Sequence, residues 1–270
     1  MPLPRPAALA GAARARSYWA LSRAPRYALL FALPLLVLYE GLAAALGGLA
    51  GVSVRNGADV WLKAPFVALF GPRGPVVFGA LVVLASVALV LRDVRRSRDG
   101  VRAGVFARML GESVLLAGVC ALAVGMATAQ LLRALPHAAL LGAPAGGPAL
   151  AAAPVGVAAL GAPAQLMVSL GAGLYEELLF RVVLVGALRA GARRVVGLGP
   201  AAASLLAVVV GAVLFSAAHH VGPLGDPLTA DRFVFRLVAG LFFSGVFVLR
   251  GFGIAAWTHA LYDVGVLTLT

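Results

Sequence analysis

Between Gln165 and Ala187 the chain is predominantly apolar, yet it carries Glu176, Glu177 and Arg181. This stretch constrains the fold more than any other. On membrane-insertion scales a charged residue at the centre of a helix costs roughly 2.5–3.5 kcal/mol, while each Leu, Ile, Val or Phe returns only about 0.3–0.6 kcal/mol. Three such charges offset most of what the surrounding side chains gain, so the fold must pair, hydrate or protonate them. Glu177 and Arg181 stand four residues apart with the acid first, the favourable orientation for an ion pair along a helix. Glu176 points in a neighbouring direction and has no local partner. What Glu176 does is therefore the question this sequence poses.

Composition sets the class in which that question is answered. The chain is 62% hydrophobic and only 12% charged, with a mean hydropathy of +1.00. An ordinary soluble globule is excluded, and an all-α polytopic bundle of about seven transmembrane helices (six to eight) is expected. In a soluble protein a net charge of +12 would point to nucleic acid. Here the arginines cluster between apolar stretches and read as cytoplasmic-side anchors, so the expected partner is membrane lipid and not nucleic acid. The single cysteine, Cys120, allows no internal disulfide and lies in an apolar run, as a buried structural thiol does.

In chain order, residues 1–26 are basic and Pro/Ala-rich and read as a retained cytoplasmic tail. Spans are expected over residues 27–50, 76–91, 110–132, 165–187, 198–218, 233–249 and 254–270. Glu40, inside the first span, reads as a hydrogen-bonded or solvated helix-packing acid. Residues 60–70 are too short to cross, and Gly71-Pro72-Arg73-Gly74-Pro75 breaks the chain after them, so they suit an interfacial or re-entrant helix. Arg92, Arg95, Arg96, Arg98, Arg102 and Arg108 form the most basic loop and, with the tail, mark the cytoplasmic side. Residues 136–163 are uncharged, with prolines that argue against a regular span. The domain reading is thus a tail (1–26), N-terminal transmembrane helices (27–164) and a C-terminal transmembrane core (165–270).

The remaining polar groups gather late in the chain. His219 and His220 end the fifth span, and His259 and Asp263 are four residues apart on one face of the last. Glu176, His219 and His259 sit on three separate helices, which a bundle can bring to one internal site. His220 reads as a hydrogen-bonding residue at a helix end. A carboxylate in an apolar pocket serves as a general base near neutral pH, and imidazoles beside it pass protons or steady an oxyanion. Other intramembrane hydrolase designs do not fit. His219-His220 leads to no His-Glu-x-x-His zinc helix, Ser244-Gly245 follows Phe242-Phe243 in place of a Gly-x-Ser-Gly nucleophile, and Tyr262-Asp263 has no Gly-x-Gly-Asp partner.

Three ordered motifs carry a resemblance. Glu176-Glu177…Arg181, Phe215…His219 and His259…Asp263 resemble the CPBP family, which comprises CAAX prenyl endopeptidases and bacteriocin-processing Abi proteins. The resemblance covers roughly residues 165–270. It implies an intramembrane glutamic-type endopeptidase, multi-pass in a bacterial cytoplasmic membrane, acting on a membrane-associated peptide or protein. Glu176 would activate water with help from His219, His259 and Asp263 would line the oxyanion site, and Glu177 and Arg181 would support them. Asp263 stands where prenyl endopeptidases of this family carry Asn, and an ionised Asp repels an oxyanion. Asp263 must then be protonated, or orient His259 or a metal. No cofactor is required on this reading. A divalent metal such as zinc on Glu176, His219, His259 and Asp263 is the alternative chemistry. A non-catalytic peptide-binding or immunity protein and an ion-coupled transporter are the alternative functions.

Overall fold

The computed structural model describes residues 17–50, 54–97, 100–134, 160–222 and 225–269. Among these residues every regular element is helical and there is no strand, which lets each crossing segment satisfy its own backbone polar groups. The first half comprises a short α1 (Tyr18–Ser22), α2 (Pro25–Ala50), α3 (Gly57–Phe70), α4 (Gly74–Ser97) and α5 (Ala103–Ala134). The second begins with α6 (Ala162–Gly171), which runs unbroken into a π-helical stretch (Ala172–Val185) and then α7 (Gly186–Arg194). α8 (Pro200–Ala218), α9 (Ala230–Arg250) and α10 (Phe252–Leu269) follow.

Five stretches are long and apolar enough to cross a membrane: Pro25–Gly47, Gly57–Ser97, Ala103–Ala134, Pro200–Ala218 and Ala230–Arg250. They take in five of the seven expected spans. The other two, the acidic-pair helix and α10, are helical where expected and are the helices that carry the site. Gly57–Ser97 is not one straight rod. Phe66 and Phe78, which would stand roughly 18 Å apart along a straight helix, have ring centroids 5.3 Å apart. The chain doubles back at Gly71–Arg73, where Gly71 has φ +56°, a conformation glycine adopts without steric cost. A Cβ on Gly74 would strike the Phe66 and Val67 backbone. Residues 60–70, expected to form an interfacial or re-entrant helix, are the first arm of this hairpin.

Some boundaries differ from the sequence reading. Arg92, Arg95 and Arg96 lie on α4 and Arg108 on α5, leaving only a short link between the two helices where a basic loop was expected. Arginine stems run along apolar surface while their heads reach polar headgroups, so a helix continues past the last hydrophobic residue. The segment from Ser17 onward is also folded and not loose: Ser22, Arg26 and Tyr27 are buried. Arg98, residues 1–16 and most of 136–163 lie outside the described residues.

α10 is the centre of the bundle. It packs on α2, α5, α6, the π stretch and α9, and its Ile254, Ala255, Ala256, Ala260 and Tyr262 reach into all three apolar clusters. Small residues allow this. A Cβ on Gly253 would meet the Ala28 backbone at 2.6–3.2 Å, and one on Gly173 would collide with the backbone and side chain of α10 at Ala256 and Ala260. Close backbone approach is how helices associate in lipid, where apolar surface alone gives little drive. The outer faces are apolar as well, with Leu84, Leu115, Leu122 and Leu205 exposed, as a lipid-facing surface requires.

Candidate active site

The π stretch places the acidic pair. Its N–H groups bond five residues back, a rare winding that is frequent at functional sites. Everything from Ala172 to Glu177 is buried, as are Phe180 and Arg181. Glu177 is 0% exposed, Arg181 1%, His259 4% and Glu176 9%, so all four ionisable groups depend on one another.

Glu177 and Arg181 form the expected pair at 3.3 Å. Arg181 gains further support from aromatic faces: its guanidinium carbon lies 4.3 Å from the Phe215 ring centroid and 5.7 Å from that of Phe243. Glu177 has a second role that spacing did not reveal. Its Oε1 accepts from His259 Nδ1 at 2.8 Å, which leaves the other imidazole nitrogen facing the cavity. His259 is stacked on Phe243 with ring centroids 4.1 Å apart and planes 15° apart. His219, at the C-terminal end of α8, donates Nδ1–H to the Phe215 carbonyl at 2.8 Å, and this too frees its Nε2.

The two Nε2 atoms converge on one carboxylate oxygen. His219 Nε2 is 3.6 Å and His259 Nε2 is 4.0 Å from Glu176 Oε2, and Asp263 Oδ2 is 3.7 Å from His259 Nε2. Glu176 Oε2 is buried and accepts no hydrogen bond. The other oxygen, Oε1, accepts from Asn56 Nδ2 at 2.8 Å. Asn56 is itself fixed: it is 5% exposed, its Oδ1 caps α3 at Ala58 N, and its own N–H donates to Tyr39 Oη. Sequence reasoning missed Asn56. The one available signal, Asn before Gly-Ala-Asp at a helix start, points to a cap and says nothing of a carboxylate 120 residues later.

Behind Asn56 lies a polar network the sequence showed only as scattered charges. Glu40 accepts from Lys63, Arg55 and Tyr175 at 2.9, 3.0 and 2.7 Å, and Asp59 accepts from Tyr39 at 2.9 Å. Glu40 is thus a hydrogen-bonded packing acid, and it ties Tyr175, the neighbour of Glu176, to α2. His220 donates Nδ1–H to the Asp226 carbonyl at 3.0 Å and faces Phe233, a helix-end role as expected.

The structure therefore brings together Glu176, His219, His259 and Asp263 around a cavity of about 480 Å³, with Glu177 and Arg181 behind them. A larger cleft of about 1020 Å³ lies at the other end of the bundle, beside Arg23, Arg189, Arg193 and Arg194, and contains none of these groups. As placed, no three His, Cys, Asp or Glu side chains among the described residues stand close enough to hold a metal ion. The two imidazole Nε2 atoms and Glu176 Oε2 face one another across gaps too long for direct hydrogen bonds, a geometry that one bridging water fits when at least one of the three groups carries a proton.

Residues 158–265, which carry Glu176, Glu177, Arg181, His219, His259 and Asp263 but neither Asn56 nor the α2–α3 network behind it, match the family model for Rce1-like type II CAAX prenyl endopeptidases. No curated protein and no solved structure matches the chain. The membrane-crossing helices, the matched residues and the three motifs agree: over residues 158–265 this multi-pass membrane chain is similar to the CPBP (CAAX protease) family.

Proposed function

We propose that this chain is an intramembrane endopeptidase in which Glu176 activates water. The observation that carries the reading is the unsatisfied, buried Glu176 Oε2 facing two imidazole Nε2 atoms at 3.6 and 4.0 Å. A water at their meeting point would be aligned by His219 and would lose its proton to Glu176. The oxygen adds to the scissile carbonyl carbon, and the carbonyl oxygen becomes an oxyanion. A proton shared by His259 Nε2 and Asp263 serves as its hydrogen-bond donor, which removes the repulsion an ionised Asp263 would exert. The oxyanion then collapses back to a carbonyl, the carbon–nitrogen bond breaks, and Glu176 gives its proton to the leaving amine, as a base must when it turns acid. Asn56 holds Oε1, so the basic oxygen is the one that faces the imidazoles.

The test is cleavage of membrane-anchored peptides by purified protein in liposomes, with and without a chelator. Glu176→Gln keeps the shape of the side chain and removes the base, so cleavage should vanish while the thermal midpoint stays near that of the unaltered chain. Cleavage by Glu176→Gln would falsify the role of Glu176. Loss of wild-type cleavage on chelation, restored by zinc, would replace the water-activating glutamate with a metal.

A further inference from the structure

The larger cleft, away from the catalytic groups, has walls of two kinds. Towards the middle of the helices it is apolar: Leu29 of α2 and Val82 and Leu89 of α4 line it with Leu178 and Val182 of the π stretch and Phe252 of α10, around about 1020 Å³. That volume stands at the upper end of the roughly 300–1,000 Å³ of small-molecule sites. Towards the helix ends it is basic, with Arg23 between α1 and α2 and Arg189, Arg193 and Arg194 on α7. Both flanking helices change character in the same direction. Along the acidic-pair helix Val182 and Val185 give way to Arg189 and Arg193, all of them lining the cleft. Along α4, Val82, Ala85 and Leu89 lead to Arg92 and Arg96 on the same helix face.

Among the described residues no Asp or Glu lines this cleft, and Arg189, Arg193 and Arg194 make no ion pair. The sequence has ten acids, and nearly all are engaged elsewhere. Glu40 and Asp59 bind Arg55 and Lys63, Asp93 binds Arg26, and Glu112 binds Arg250. Asp226 binds Arg232 and Arg236, and Glu177 binds Arg181. Glu176 and Asp263 belong to the active site. Asp231 lies in the first turn of α9, at the far end of that helix from the cleft residues Phe247 and Val248. That leaves Asp99, which is next to Arg98 and outside the described residues. The chain therefore lacks acids to match this arginine cluster. A second copy, with the same net charge of +12, would add arginine and not acid. The counter-charge comes from another kind of molecule.

We infer that this cleft is a binding site for one anionic phospholipid, with its headgroup phosphate among Arg23, Arg189, Arg193 and Arg194 and an acyl chain between α4 and the acidic-pair helix. A guanidinium suits phosphate because its planar fork of N–H groups reaches two oxygens at once, and basic pockets between membrane helices bind anionic headgroups. Arg23 is already held in place, since its Nη2 donates to the Val248 carbonyl at 3.3 Å. A soluble anion would use the arginines and not the apolar walls, and a neutral lipid the walls and not the arginines. An anionic phospholipid uses both. Leu178 and Val182 belong to the stretch that carries Glu176, so a seated acyl chain packs against that stretch while taking no part in the cleavage chemistry.

Native mass spectrometry of the full chain, purified in detergent and stripped of lipid, tests it. Phosphatidylglycerol should give a saturable one-to-one adduct, phosphatidylcholine of the same chain length a weaker one, and glycerol 3-phosphate, a headgroup without chains, none. Arg189→Gln with Arg193→Gln should weaken phosphatidylglycerol binding about 30-fold, the loss expected for two arginines beside an anionic headgroup. Arg95→Gln with Arg108→Gln removes the same charge from exposed positions outside the cleft and should leave binding unchanged. Ala85→Trp fills the α4 wall and should weaken binding with every arginine in place, which tests the apolar half independently. Equal affinity for the two lipids, equal loss in the two arginine pairs, or glycerol 3-phosphate bound as tightly as the lipid overturns the inference. A lipid-free dimer that Ala85→Trp dissociates also overturns it, in favour of a second copy in the cleft.

Discussion

Glu177 has two partners of different kinds, and removing it breaks both contacts. Its carboxylate faces the Arg181 guanidinium and accepts from His259. All three Arg181 nitrogens are buried without a hydrogen bond, so Arg181 depends on that carboxylate and on the Phe215 face. Taking one partner from a buried pair costs about 3–5 kcal/mol, whereas replacing both by apolar groups costs far less. Glu177→Ala should therefore destabilise the fold in detergent by about 3–5 kcal/mol, read as a lower denaturation midpoint, and Glu177→Leu with Arg181→Leu should recover part of the loss. A Glu177→Ala chain that melts like the wild type would show that Arg181 does not rely on this pair. Asn56 offers a cleaner separation of fold from chemistry. Ser and Asp cap a helix as well as Asn does, but neither presents an ionised carboxylate with an N–H. Asn56→Ser should keep the midpoint and KM while kcat falls about 10- to 100-fold, the loss expected for one hydrogen bond to a charged group; an unchanged kcat would make Asn56 a cap and nothing more. The contrast marks the limit of the sequence. The Glu177–Arg181 pair was legible because helical spacing encodes it. The bonds from His259 and Asn56 were not, because no spacing relates residues on separate helices.

At the scale of elements, the winding of the acidic-pair helix mattered more than its existence. A span over 165–187 puts Glu176 at its middle and His219 at the end of the next, which leaves the two at different depths. The actual helical run extends from Ala162 to Arg194. Glu176 then precedes the turn by about as many residues as His219 follows it, and antiparallel packing brings them level. Apolar patterning gave the helix but not its last two turns, which are stabilised by headgroup-reaching arginines. Nor did it give the π winding of the stretch that packs against α10. Gly173 is the point of closest approach, where an added Cβ would lie 2.6 Å from Ala260 Cβ. Gly173→Ala should therefore separate the π stretch from α10, at about 1–3 kcal/mol for overpacking, and should lower activity further because Glu177 and His259 lie across that seam. Gly191→Ala, with nothing within 4 Å, should be neutral or stabilising by up to about 1 kcal/mol, since alanine outperforms glycine in a helix. Equal midpoints for the two variants would mean that the seam is not tight.

Over the whole molecule, the family match and the folded site do not have the same boundaries. The match covers residues 158–265, yet Glu176 Oε1 is held by Asn56, Tyr175 by Glu40, and α10 by α2 and α5. Trp257 also donates to the Phe31 carbonyl at 2.6 Å. The helices before residue 135 therefore act as the other half of the site and not as a separate anchor. They bury the face of α10 that would otherwise meet lipid, and they supply the Asn56 donor to Glu176 Oε1. Residues 160–269 expressed alone should insert but not cleave, because α10 loses its packing on two sides and Glu176 loses Asn56. Co-expression with residues 17–134 should restore cleavage, since the contacts joining the halves are helix packing and hydrogen bonds and not a covalent link. A first fragment carrying Asn56→Ser should restore cleavage only to a rate about 10- to 100-fold lower, whereas one carrying Gly41→Leu, a packing control with nothing within 4 Å of Gly41, should restore it in full. Full cleavage by residues 160–269 alone would show that the matched region holds a complete site, and that the polar network of α2 and α3 serves only the fold.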